Sequence, residues 1–339
     1  MSNYVAYSGS SELACWHDPD EIRRWIQDNK TREPIDKTME ISEAIDRYVA
    51  DGSYIVIGGF GCVRVPMAAI YEIIRQKKKN MTMGAKTAVL DADLLIASGV
   101  VSSLEATYSF GHEMRGLSRA ARRAVESGRA KVISEWSNAA FQWRLKAAGM
   151  GIPFFPMRGM LGSDTLRKSS AKVIMDPFSQ KPITLVPACY PDIAIIHVHR
   201  ADKYGNSQID GITVEDLDLA KAAKRLIITT EKIVDSEEIR QRPDRTAIPY
   251  FLVDAVVEVP YGAHPTNMPY VYYSDEEIYG EWLLMSKTDD GVREFLNKYV
   301  YSIKDFKEYL ELVGGMDKMK LLIDVENLKD KPKLKWLEG

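Results

Sequence analysis

Short apolar runs alternate along this chain with stretches of helical spacing. Tyr54 to Ile57, Ala194 to Val198, Arg225 to Thr229 and Ala255 to Val259 are β-branched, aromatic or small-apolar runs of the length of covered strands. Helices are predicted at Ile41 to Ala50, Met67 to Lys78, Arg119 to Ser127 with Gly128 as the C-terminal cap, and Ser137 to Ala148. This alternation predicts an α/β protein with an open, mainly parallel sheet covered by helices. From about Asp275 the chain becomes more charged and helical, with Trp282, Phe295, Tyr299, Phe306 and Tyr309 as packing anchors.

The run Asp51 to Pro66 joins a strand to glycines with no room for side chains. Asp51-Gly52 signals a turn, and Gly58, Gly59 and Gly61 permit backbone angles closed to other residues and a close approach of backbone amides to a ligand. Pro66 stands at the first turn of the next helix, whose N-terminus favours negative charge. A dinucleotide fingerprint is ruled against because Arg64 stands where its third glycine belongs, and the lysine of a nucleotide-binding P-loop is missing. The plain alternative is a tight strand-to-helix turn and nothing more.

The chain has 339 residues, 45% hydrophobic and 27% charged, enough for a large core in one or two domains. A net charge of −3 without a basic block argues against nucleic acid as a partner. Cys15, Cys62 and Cys189, an odd and widely spaced set, suggest reduced thiols in a cytoplasm. The polar N-terminus carries no apolar signal core, and no run approaches the ~20 apolar residues of a membrane span, so neither export nor a membrane is expected.

Asp51, Gly52, Ile55 to Ile57, Gly58, Gly59, Phe60, Arg64 and Pro66 together resemble the signature of the first subunit of family I coenzyme A transferases. Ile152 to Pro156, Gly162 to Asp164, Val186-Pro187, Asp192 to His197 and Tyr261 to Pro265 resemble the glutaconate-type α-subunits in order and spacing. The likeness spans roughly residues 39 to 325. It implies the transferase (sugar-isomerase-like) fold, with residues 1–38 as an N-terminal extension, 39–275 as the core and 276–339 as a helical part packed on it. One role open to the extension is that Trp16 and Trp25 wrap a partner or a sister copy.

The resemblance also implies a ping-pong transfer of CoA between an acyl-CoA and a carboxylic acid, dicarboxylic acids included. The nucleophilic glutamate, in a Glu-x-Gly setting, belongs to the companion β-subunit, so this chain supplies half a site in a heterodimer or larger heteromer. CoA enters as substrate, and neither cofactor nor metal is implied. Glu126-Ser127-Gly128 reads as a helix end, with Glu126 structural.

Gly58, Gly59, Phe60, Gly61 and Arg64 are expected to line the site and supply amides, and Tyr108, Ser109, His112, Glu113 and Arg115 to select the acyl group. His112 reads as a proton carrier and Arg115 as a carboxylate clamp, or both as solvated loop residues. Ser137 and Asn138 open a helix, Ser137 as its cap, and Glu135 precedes them. Relatives that hydrolyse cyclic CoA thioesters carry a working glutamate in that segment. The alternative is therefore a hydrolase or lyase on a CoA thioester using a carboxylate such as Glu135, Asn138 being the other residue that could occupy the matching position, and a second alternative is a non-catalytic acyl-CoA-binding relative. His197, His199 and His264 read as structural hydrogen-bonding residues.

Overall fold

The computed structural model describes residues 5–334. Its centre is a parallel sheet of seven strands: β1 (Tyr54–Ile57), β2 (Met81–Ala85), β3 (Val101–Ala106), β4 (Lys131–Glu135), β5 (Ile193–Val198), β6 (Arg225–Thr230) and β7 (Ala255–Glu258). Their spatial order is β7-β6-β5-β1-β2-β3-β4, so the chain builds outward from β1 in one direction and then returns to build outward in the other. That reversal lies between β1 and β5, and crevices at such points, outside the carboxyl ends of the strands, are where sheets of this kind hold ligands.

Both faces of the sheet are covered, which explains why β1 and β5 are buried at every position. Side chains alternate between two cores with the period of two that a strand imposes. Ile55, Ile57, Ile193, Ile195, Ile227, Ala255 and Val257 enter one core, and Tyr54, Val56, Ala194, Ile196, Leu226, Ile228 and Val256 enter the other.

The helices α1 (Pro19–Asn29), α2 (Ile41–Tyr48), α3 (Met67–Arg75), α4 (Leu90–Ala97), α5 (Arg119–Glu126), α6 (Asn138–Met150) and α7 (Asp216–Ala222) lie before and between the strands. The predicted helix from Met67 to Lys78 ends early because Lys77 adopts φ +56°. Arg119–Glu126 stops as expected at Gly128, whose φ is +77°. The C-terminal helices begin with α8 (Glu276–Met285), and Trp282, Phe295, Tyr299, Phe306 and Tyr309 are all buried in the first core together with α3 and α4.

Sequence patterning missed a four-stranded antiparallel sheet. Val5–Ser8 pairs with Lys172–Met175, which pairs with Pro182–Pro187 and that in turn with Phe154–Met157. The N-terminal segment therefore packs on its own chain. Trp16 Nε1 donates to the Pro153 carbonyl at 2.9 Å, and the Trp25 ring lies 4.9 Å from the Arg225 guanidinium. Both tryptophans are thus half-buried and make contacts within this chain.

Candidate active site

The glycine loop leaves the carboxyl end of β1 and is held by its own amides. Gly58 N–H donates to the Ile195 carbonyl at 2.8 Å, Gly59 N–H to Asp216 Oδ1 at 2.9 Å, Phe60 N–H to the Val63 carbonyl at 2.9 Å, and Gly61 N–H to the Thr87 carbonyl at 3.0 Å. The expectation that these four amides serve a ligand is corrected: they are consumed in tying the loop to β5, to α7 and to the turn after β2. Glycine is required for that close approach, since a Cβ on Gly58 would lie 2.7 Å from Asp216 Oδ1 and one on Gly59, at φ +87°, 2.5 Å from the Val63 carbonyl oxygen. The start of α3 is closed as well, because Ala68 N–H donates to the Gly262 carbonyl at 2.9 Å.

Arg64 stands behind the loop instead of lining the site. It is 1% exposed, pairs with Asp216 at 2.5 Å and donates to the His197 and Ile212 carbonyls at 3.2 and 2.6 Å. Arg64 and Gly59 thus share one carboxylate, and the cation sets the position of the glycine turn through it.

The segment after β3 splits the predicted selectivity residues into two groups. His112 is fully buried, with Nε2 3.0 Å from Asp93 Oδ2, an oxygen that also accepts from Trp282 Nε1 at 2.8 Å. Arg115 clamps Glu276 with two hydrogen bonds of 2.7 and 2.5 Å and stacks on Tyr279 at 4.5 Å. Neither is a solvated loop residue; both anchor the loop, His112 to α4 and Arg115 to α8. The other group stays at the surface. Tyr108 is exposed, Ser109 Oγ donates to the Ala85 carbonyl, and Glu113 sits at φ +56° beside the glycine turn, where a Cβ on Gly61 would lie 2.9 Å from its Oε1.

Two residues that the sequence patterns did not single out complete this corner. Lys86, in the turn after β2, pairs with Glu215 at 2.7 Å, and its ammonium lies 5.3 Å from the Phe60 ring centroid. Both side chains are nearly inaccessible, and Glu215 Oε1 has no partner among the described residues. Burial pushes the Glu215 carboxyl up to about 7, against the opposing pull of Lys86. Because its folded value lies above the ordinary 4.5, the stability it contributes is complete below about pH 4.5 and is lost as pH rises through about 7. Urea midpoints between pH 5 and 8 are expected to show this fall, worth roughly 3 kcal/mol, and Glu215→Gln is expected to remove it. An unchanged slope in the variant would assign the titration to another group. The sequence signal was a lysine directly after a strand and an acidic pair opening a helix, both of which read as ordinary surface features.

The profile of the family described as Coenzyme A transferase matches residues 38–259. The A-subunit of the glutaconate CoA-transferase of Acidaminococcus fermentans is 35% identical over 296 residues, covering 82% of this chain and 92% of that one. The chain belongs to the coenzyme A transferase family. The crystal structure of the A. fermentans glutaconate coenzyme A-transferase superposes with a TM-score of 0.80 at 33% identity, covering 84% of this transferase and 95% of the solved chain. An uncharacterised protein of Archaeoglobus fulgidus is 59% identical over 328 residues, 97% of this chain and 73% of that one, so most of the N-terminal extension recurs there.

Within this coenzyme A transferase fold, Glu135 ends the edge strand β4, three strands and thus ~14 Å from β1 by sheet spacing. Its carboxylate pairs with Lys168 at 2.9 Å on the surface. Ser137 caps α6 by accepting from Ala140 N–H at 3.1 Å, and Asn138 Oδ1 accepts from Tyr108 N–H at 3.4 Å, linking the start of α6 to the exposed loop. The histidines have structural partners. His197 bonds Thr229 and Glu231, His199 the Pro269 carbonyl, and His264 Tyr309 and Asp275. Among the described residues no group of three or more His, Cys, Asp or Glu converges as a metal cage, and no helix is long and apolar enough to cross a membrane.

Proposed function

We propose that this chain is the α-subunit of a heteromeric coenzyme A transferase whose companion supplies the glutamate that is acylated. The observation that carries this is the character of the site's open side. Beside the glycine turn the loop after β3 presents Tyr108, Met114 and Leu117 at 51, 73 and 53% exposure, large apolar side chains at the mouth of a site. Such a patch marks a surface meant to be covered, and a companion docked there would complete the site. The matching chain of the A. fermentans relative is likewise named as one subunit of its transferase.

In this reaction a companion carboxylate attacks the thioester carbonyl, expelling CoA as thiolate and leaving a mixed anhydride. The thiolate then attacks the glutamyl carbonyl of that anhydride, releasing the first acid and leaving a glutamyl-CoA thioester; a second acid reverses the sequence. On this chain Gly58, Gly59, Phe60 and Gly61 form the wall, shaped by Arg64 from behind, and Tyr108, Ser109, Glu113 and Asn138 face the acyl group. Lys86 offers positive charge beneath Phe60 for the oxyanion that develops. The Glu113 carboxylate disfavours an acyl group whose far end is another carboxylate at that corner, which argues for an acyl group differing from glutaconyl.

The test is borohydride trapping of the heteromer incubated with acyl-CoA esters, followed by peptide mass analysis. The expected product is a reduced glutamyl residue on the companion. Reduction at Glu113 of this chain would overturn the division of labour, and CoA release without any adduct, abolished by Glu135→Ala, would overturn transfer in favour of hydrolysis.

A further inference from the structure

Residues that precede the matched family region help to build a pocket at the end of the sheet opposite the glycine loop. Arg225 opens β6 and Asp254 immediately precedes β7, so a pocket lined by both lies at the amino ends of the parallel strands, whereas the glycine loop leaves a carboxyl end. The segment from Asn29 to Lys37 and the end of α2 close it to a volume of about 480 Å³, within the range of small-molecule sites.

Its charge is unbalanced. Lys30, Lys37, Arg47 and Arg225 line it, against Asp254 as the one lining carboxylate among the described residues. Asp254 is already spent: Lys30 lies 3.0 Å from Oδ2, Arg225 lies 2.7 Å from Oδ1, and the Leu226 N–H also donates to Oδ2. Lys37 is 5% exposed, and its ammonium donates only to the Tyr250 carbonyl, at 2.7 Å, with no carboxylate partner among the described residues. The neighbouring Asp202 is occupied by the amides of residues 204–206 and by the Asn206 side chain. Arg47 lies over the Tyr48 ring, also without a carboxylate among the described residues. Burial lowers the proton affinity of both lysines, as it must where cations crowd together in a poorly hydrated site.

A buried ammonium keeps donors free beside a cavity only at a cost, which an anion in the cavity relieves. We propose that this pocket binds a compact metabolite carrying two or more negative charges, as a phosphate ester or a dicarboxylate, at a site separate from the glycine loop. Tyr48 supplies an aromatic wall and Arg225 and Lys37 the charge-assisted donors. The site depends on the extension and stands whether or not the transferase mechanism above is right.

The experiment is calorimetric titration of the full chain, with and without its companion, using inorganic pyrophosphate and, separately, glutarate at constant ionic strength. Saturable binding of at least one probe is expected, weakened about tenfold or more by Lys37→Met and by Arg47→Ala. Which probe binds tells phosphate from carboxylate recognition. Arg47 is exposed and makes no hydrogen bond among the described residues, so its variant remains informative if Lys37→Met does not fold. Absence of binding by both probes, binding undiminished in Arg47→Ala, or binding by the chain alone that vanishes in the heteromer would each overturn the proposal, the last by showing that a companion side chain fills the pocket.

Discussion

Replacing Arg64 with methionine is expected to lower kcat/KM of the heteromer by about a hundredfold or more, although this side chain touches no substrate. The mechanism runs through Asp216. Its Oδ2 pairs with Arg64 and its Oδ1 receives the Gly59 amide. Without the cation, a carboxylate with 1% of its side chain exposed is left uncompensated. It is then protonated or drawn toward solvent, and the Gly59 turn moves with it. A displacement of about 1 Å at a reacting centre costs roughly 10²-fold, and loss of one partner of a buried pair costs about 3–5 kcal/mol of stability. Arg64→Lys keeps the charge but cannot reach two carbonyls and a carboxylate with one planar fork, so an intermediate loss is expected. Steady-state kinetics with urea titration of both variants checks this. Activity of Arg64→Met within threefold of wild type would show that the loop holds its shape unaided.

The second large effect concerns stability alone. Arg144→Leu is expected to destabilise the chain by about 3–5 kcal/mol, because it strands Glu105 in the core beneath the sheet. Neither side chain of this pair is accessible, and they meet at 2.7 Å. Glu105 also receives the Tyr54 hydroxyl and the Trp136 indole N–H, while Arg144 reaches the carbonyls of Pro187 and Ala14. One guanidinium therefore joins β3, α6, the antiparallel sheet and the N-terminal segment. Adding Glu105→Gln to Arg144→Leu removes the unpaired charge and keeps a carbonyl acceptor for Trp136, with the amide NH2 able to donate to the Tyr54 hydroxyl oxygen, so the double variant is expected to be more stable than Arg144→Leu. Denaturant midpoints of the four proteins of this cycle measure the coupling, and a double variant no more stable than the single would show that the arginine acts by packing on Trp136 and Phe141.

Local pattern carried most of the fold. The strands at Tyr54, Arg225 and Ala255 begin where the apolar runs begin, and the helix end expected at Gly128 coincides with a left-handed backbone angle. These features depend on neighbours a few residues apart, which a single sequence displays directly. Position of the glycine loop was legible for the same reason, since glycines after a covered strand mark the carboxyl edge of a sheet whatever lies around them.

Roles within the site were decided by contacts that no spacing encodes. Arg64 and Asp216 are 152 residues apart, Lys86 and Glu215 129, and Arg115 and Glu276 161. A polar residue in a loop reads the same whether it meets a ligand or a buried carboxylate, and only the tertiary structure shows that His112 and Arg115 are already partnered while Tyr108 and Glu113 are exposed. The antiparallel sheet escaped notice because Val5–Ser8 finds its partner at Lys172–Met175, and edge pairings across that distance leave no periodic trace. The sequence by itself thus determined the strand-and-helix order, the parallel α/β class and the location of the glycine loop, all consequences of short-range sterics and hydrophobic period. Tertiary structure alone decided which donors remain free and which charges are neutralised, because burial and pairing are properties of residues that meet only after the chain has folded.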